Sequence, residues 1–262
     1  MLNQRLIGVV TVKDGWAVQS FGYGRWLPMG KPECVVENLD RWGADEILVL
    51  SIDRSRRALG PDFATLERLT RLDLATPLIY GGGIRSSDDA VAVVHLGADR
   101  VCVDALLRDN FSAVVALSHQ LGAQAVIAAL PLAARNGTLL WRDYRCSIDT
   151  SLDAGVVAAL HDGTISEALL IDWQHEGLPG AFDPEIVRLF PARGRQLIAF
   201  GGLSDAAQLA GVFAHPAVTA IGVGNFLSYR EHAIQALKAG LAGAPMRPAA
   251  YPQSARSCPE PA

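Results

Sequence analysis

The sequence predicts a (β/α)8 barrel, and three observations carry that expectation. Short apolar runs without polar alternation recur along the 262 residues, each followed by an amphipathic stretch. This is the pattern of a parallel sheet buried on both faces by helices. About eight such units fit into about 250 residues, the size of this barrel. The two halves also look alike: "YGGGIRSSDDAVAVV" from Tyr80 is answered by "FGGLSDAAQLAGVF" from Phe200, and "ADRVCVDALL" from Ala98 by "VTAIGVGNFL" from Val218. The spacing is 120 residues in both cases (200 − 80 and 218 − 98), which suits a duplicated half-barrel rather than a solenoid. An open doubly wound sheet is the alternative, but no GxGxxG follows the first strand.

Taken in order, strands are expected near 5–11, 46–52, 76–80, 99–104, 124–130, 166–172, 196–200 and 218–223, where β-branched and apolar residues cluster. Helices of 3.6-residue period are expected near 31–43, 61–73, 86–96, 110–121, 150–161, 183–190, 203–213 and 225–241. Val10, Val49, Ala128 and Ala199 are expected to fill the barrel interior. Residues 1–242 then form a single barrel domain. Residues 243–262, rich in Pro, Ala and Ser, read as a disordered tail.

Composition narrows the function. A net charge of −4 offers no basic footprint for nucleic acid or anionic lipid. The apolar runs are too short to cross a bilayer, and "MLNQRLIG" lacks a signal-peptide layout. The cysteines, Cys34, Cys102, Cys146 and Cys258, form no CxxC pair, which points to a reducing cytoplasm and away from a zinc site or a disulfide framework. The scattered histidines have no HxxxH spacing, so no metal is expected, and no cofactor motif is present.

Two connections exceed the usual βα length. Residues 12–30 contain a hairpin turn at Asp14-Gly15, and residues 131–149 another at Asn136-Gly137. Both fall on the C-terminal face, where barrels carry function. The glycine clusters Gly81-Gly82-Gly83 and Gly201-Gly202 end strands. Their backbone N–H groups could cradle phosphates, or they could simply make tight turns. Their symmetric placement favours a phosphorylated small molecule held at Gly82, Gly83, Gly201 and Gly202, with Gly177 and Gly224 completing the cradles.

The chain resembles the histidine-biosynthetic barrels, and most closely HisF, the cyclase subunit of imidazole glycerol phosphate synthase. The resemblance runs from Met1 to about Leu241 through "RLIGVVTVKDG", "WGADEILVLSID", "PLIYGGGIRSSDDA", "LGADRVCVDALL", "LGAQAVIAAL" and "LIAFGG". It implies two catalytic carboxylates, ending the first and fifth strands, but those positions hold Thr11 and Pro131. A loop lysine of the family falls at Gln19, and a strand-two aspartate at Ser51. Neither threonine nor proline can exchange a proton near neutral pH, so cyclase activity is expected to be absent.

The resemblance also implies a partner. HisF receives ammonia from a glutaminase, HisH, docked on the N-terminal face over a gate of four charged residues. The matching positions are Arg5, Glu46, Arg100 and Glu167, with alternating sign, and the interface positions match Asp99 and Gln124. HisF-like proteins with altered active sites accompany amidotransferases of bacterial surface-sugar synthesis, which implies amidination of such a sugar. Two alternatives stay open: a phosphate-ligand-binding scaffold without catalysis, or a phosphosugar enzyme using strand-end acids such as Asp53, Asp104, Asp172 or Glu176. HisA, the isomerase relative, fits less well, because it takes no ammonia and needs both missing carboxylates.

Overall fold

A computed structural model describes residues 4–191, 194–241, 243 and 245–248. In chain order the strands are β1 (Arg5–Lys13), β2 (Trp16–Phe21), β3 (Arg25–Gly30), β4 (Glu46–Ser51), β5 (Leu78–Gly81), β6 (Arg100–Val103), β7 (Val126–Arg135), β8 (Thr138–Asp143), β9 (Ile148–Ser151), β10 (Glu167–Asp172), β11 (Gln196–Phe200) and β12 (Val218–Val223). The helices are α1 (Pro32–Arg41), α2 (Phe63–Thr70), α3 (Ser87–His95), α4 (Ala105–Asp109), α5 (Phe111–Leu121), α6 (Ala154–Asp162), α7 (Glu185–Leu189), α8 (Ala206–Phe213) and α9 (Ala233–Gly240).

Eight parallel strands close a barrel in the order β1-β4-β5-β6-β7-β10-β11-β12, with β12 returning to β1 through Arg5↔Ala220. The expected (β/α)8 architecture is therefore present. Helix starts follow local chemistry. Asp62, Ser86, Asn110, Asp153 and Asp205 each accept a hydrogen bond from a first-turn backbone N–H, and Pro32 opens α1.

The two long connections are hairpins, as their Asp-Gly and Asn-Gly turns indicate. Each adds a strand that periodicity did not reveal: β3 pairs only with β2, and β9 only with β8. The helix expected from residue 150 begins at Ala154, because 148–151 are drawn into the β8 ladder. The last expected helix is split into a 3-10 turn at Asn225–Ser228 and α9.

The apolar core has two layers. Ile7, Val9, Leu48, Leu50, Ile79, Cys102, Ile127, Ala129, Leu169, Ile171, Ile198, Phe200 and Ala220 fill the barrel. Val10, Val49, Ala128 and Ala199, expected inside, belong to the outer layer with helix residues such as Val36, Leu39 and Leu66. The side-chain period of a strand is two, so an error of one residue exchanges the faces.

Of the expected tail, residues 243 and 245–248 are described. Pro245 accepts a backbone hydrogen bond from Gln4 at 2.9 Å, and Met246 bridges Gln4 and packs on the core. Residues 249–262, including Cys258, lie outside the described residues. Among the described residues no helix is long and apolar enough to cross a membrane, and no cluster of metal-ligating side chains occurs.

Candidate functional site

The barrel offers two ends with different chemistry. At the N-terminal end the strands start with Arg5, Glu46, Arg100 and Glu167, and their side chains meet in one ring. Arg5 bonds Glu46 at 3.0 Å and also Glu167; Arg100 bonds Glu46 at 3.3 Å and Glu167 at 2.6 Å. Every neighbour carries the opposite charge. Arg100 also donates to the Gln124 backbone carbonyl at 2.8 Å and to Ser166 Oγ at 3.2 Å.

The two carboxylates differ. Burial opposes charge on both. At Glu167, which is 2% exposed, contacts with Arg5 and Arg100 outweigh burial and hold the carboxyl below its ordinary range. At Glu46, burial wins over the same two arginines, helped by the charge of Glu167, and the carboxyl is raised. Asp99 and Gln124 are exposed at the rim of this face, although the Asp99 carboxylate already accepts the Leu78 N–H at 2.7 Å.

The ring fixes the parity of the interior. Counting by two from each member gives Ile7, Val9 and Thr11 on β1; Leu48 and Leu50 on β4 and Ile52 just after it; Cys102 and Asp104 from β6; and Leu169, Ile171 and Trp173 from β10, while Ile127 and Ala129 on β7 lead in the same way to Pro131. Thr11, Pro131, Asp104 and Trp173 therefore belong to the topmost layer. A cavity of about 240 Å³ opens there, lined by Tyr23, Asp104, Pro131, Tyr144, Trp141 and Trp173 among others.

The strand-end acids separate in role. The buried Asp172 accepts from the Asp183 N–H (2.8 Å), the His175 N–H (3.2 Å) and His175 Nδ1 (2.7 Å). Glu176 accepts from Ser20 Oγ (2.9 Å) and the Tyr23 N–H (3.2 Å), and so anchors the β2–β3 hairpin. Asp53 pairs with Arg57 at 3.2 Å. Asp104 is the one of the four that lines the cavity. Burial pushes its carboxyl up, against contacts with the Ala105 N–H and Ser55.

The glycines answer first to sterics. Gly82 and Gly201 share φ near +109° and +105°, and Gly83 and Gly202 share +76° and +79°. A Cβ at Gly82 would lie 2.2 Å from the Ser51 carbonyl oxygen, and one at Gly201 2.5 Å from that of Asp172. Gly177 sits equally close to Ser20 of the hairpin, at 2.1 Å. A backbone in this region with a carbonyl so near admits only glycine. The expected phosphate cradles are also not both open. The Gly83 N–H donates to Ser55 Oγ at 3.1 Å, which itself bonds Asp104 at 3.2 Å. The cavity shared by Gly177, Gly202 and Gly224 is about 20 Å³, room for a water. Ser204 supplies a hydroxyl there that the sequence reading overlooked.

The sequence profile of the histidine biosynthesis protein family matches residues 5–233. Similar curated proteins include the imidazole glycerol phosphate synthase subunit HisF of Geobacillus thermodenitrificans, 27% identical over 245 residues (92% of this chain, 97% of that protein). The HisF subunit of Hyphomonas neptunium is 26% identical over 253 residues (94% and 99%). That of Myxococcus xanthus is 28% identical over 243 residues (91% and 95%). With the closed barrel and a match over most of its length, this chain belongs to the histidine biosynthesis protein family as a HisF-like member.

Proposed function

We propose that this chain is a HisF-like subunit of a glutamine amidotransferase that takes ammonia from a HisH-like glutaminase docked on its N-terminal face and has lost its own ring-closing chemistry. The supporting observation is the closed, alternating ring of Arg5, Glu46, Arg100 and Glu167 beneath an apolar interior. A structural ring needs no such fourfold pairing, because buried ion pairs barely repay their desolvation. A gate over a conduit does need it. A dry apolar path passes neutral ammonia and rejects ammonium, whose unpaired charge is costly to bury. At the other end, Thr11 and Pro131 supply no carboxylates, and of the acids lining the cavity Asp143 is held by Arg145 at 2.9 Å, which leaves Asp104 as the one without an arginine partner among the described residues. Losing one positioned acid–base group costs about 10²–10⁴ in rate. The ammonia acceptor is then a different molecule from the histidine-pathway substrate, and amidination of a surface sugar is consistent with this reading.

The test is reconstitution with a HisH-type glutaminase, comparing product formed from glutamine with product formed from ammonium. Glu167→Gln, which opens the ring, should lower the glutamine-driven rate and spare the ammonium-driven one. Equal losses, or no glutaminase binding, would refute the conduit. Turnover of the histidine-pathway substrate at the rate of an ordinary HisF would refute the loss of cyclase chemistry.

A further inference from the structure

The mouth cavity holds donors and cations that the proposed function leaves without work. Tyr23 Oη, Tyr144 Oη and Trp173 Nε1 are buried and have no hydrogen-bond partner among the described residues. All three residues line the cavity, with the two tyrosine rings 5.1 Å apart, edge to face. A buried donor left unpaired costs about 1–3 kcal/mol, and three in one cavity constitute a built preference for a ligand rich in acceptor oxygens.

Four arginines line the same cavity, and they divide in two. Arg142 is neutralised by Asp149 at 3.1 Å, and Arg145 by Asp109 at 2.5 Å and Asp143 at 2.9 Å. Among the described residues Arg108 has no carboxylate within ion-pair distance. It donates to the Trp141 carbonyl (2.9 Å) and Thr150 Oγ1 (3.1 Å), and its guanidinium lies 3.5 Å over the Trp141 ring. Arg56 is exposed and has no hydrogen bond or ion pair among the described residues. Arg56 and Arg108 are thus the two guanidiniums of this wall without a direct carboxylate partner among the described residues, and the lining also holds the carboxylates of Asp104 and Asp143.

Size and the closed cradles set the ligand's length. A volume of about 240 Å³ is below the usual 300–1,000 Å³ of small-molecule sites. The Gly83 N–H is taken by Ser55 Oγ, which bonds Asp104, and the depression beside Gly202 and Gly224 measures only about 20 Å³. A ligand with a single charged group suits this arrangement better than one with a phosphate at each end. The Asp104 carboxylate further excludes a second anion and favours a donor there.

We infer that the mouth binds a small organic oxyanion, a carboxylate or a phosphate monoester, with its charge at Arg56 and Arg108 and its oxygens on Tyr23, Tyr144 and Trp173. As the identity of the ammonia acceptor this rests on the function proposed above; as a binding site it stands without it.

The experiment is titration of the purified chain with ribose 5-phosphate and with glucuronate, and with ribose and glucose as neutral controls, read by tryptophan fluorescence and calorimetry. Trp141 and Trp173 report from within the cavity. Saturation by one or both oxyanions and none by the neutral sugars is expected, the responding arm assigning phosphate or carboxylate. Arg56→Gln should weaken binding about tenfold or more through loss of a charge-assisted contact. Tyr144→Phe, which removes only an unpartnered hydroxyl and leaves the fold intact, should weaken it severalfold. No saturable response, equal binding of neutral sugars, or unchanged affinity in Arg56→Gln would overturn the inference. None of these readouts involves the glutaminase, so a failed reconstitution and a failed titration are separate results.

Discussion

The two ends of this barrel are built from the same eight strands and have opposite characters. At the N-terminal end, four charges neutralise one another in a ring. The described segments preceding the strands show none of the strongly exposed large apolar side chains. At the C-terminal end all of these are found: Trp16, Trp26, Leu27, Phe63, Ile148, Leu178 and Tyr229 follow strand ends, with Leu27 56% exposed. Four of them converge on the first hairpin: Lys13 pairs with Trp16 across the ladder and lies 4.7 Å over the Trp26 ring, while Gln19 pairs with Leu27 and accepts from Tyr229. The difference teaches that strand starts are set by the closure of the barrel, where short linkers leave little freedom. Strand ends are free to carry hairpins of any chemistry.

The largest effect expected from breaking this contrast is at Glu167. Glu167→Ala leaves two guanidiniums half-paired beneath the barrel and should cost about 3–5 kcal/mol, measured by denaturant unfolding. Glu46→Gln should cost less. The Glu46 carboxyl is raised in the folded protein, so its ionisation opposes folding as pH rises through that window. Glu167 is lowered, so its contribution is present above the ordinary carboxylate pKa and is lost as pH falls through its folded value. Unfolding of the two variants across acidic pH checks both signs, and equal costs would show that the two carboxylates are equivalent.

At the other end, Gly177→Ala should loosen the first hairpin, because its Cβ would meet the Ser20 carbonyl at 2.1 Å with φ at +85°. A loss of about 1–3 kcal/mol is expected, with faster proteolytic cleavage between residues 14 and 30.

A smaller effect of opposite sign is expected from Asp104→Asn. Burial raises the wild-type carboxyl, so ionising it costs stability above the ordinary carboxylate pKa. The variant should be more stable at neutral pH, and the gain should vanish below that pKa. The smallest effect is at Trp26→Ser, an exposed site that should change stability by no more than about 0.5 kcal/mol. A larger loss would show that the apolar rim is part of the core.

The sequence alone determined the barrel, because eight buried strands alternating with capped helices have few other ways to hide their apolar surface. It also determined both hairpin turns, since Asp-Gly and Asn-Gly tolerate the positive φ such turns require. The ring residues were legible as charges before buried strands, and the ring could also have given the parity of the interior, since Ile7, Leu48, Cys102 and Leu169 each lie two residues beyond a ring member. Tertiary structure decided the rest. β3 and β9 exist only through their partners across the hairpins. Gly177 and Gly201 resemble phosphate cradles in sequence, but their nearest neighbours are carbonyls from segments that only folding brings close. Asp172 and Glu176 look as available as Asp104 until backbone amides and hydroxyls take their oxygens. Strand alternation and turn chemistry act over a few residues and can be read locally. Hydrogen-bond satisfaction and steric contact depend on distant chain segments, 156 residues apart between Ser20 and Glu176 and 205 between Ser20 and Asn225, and only the closed barrel sets them.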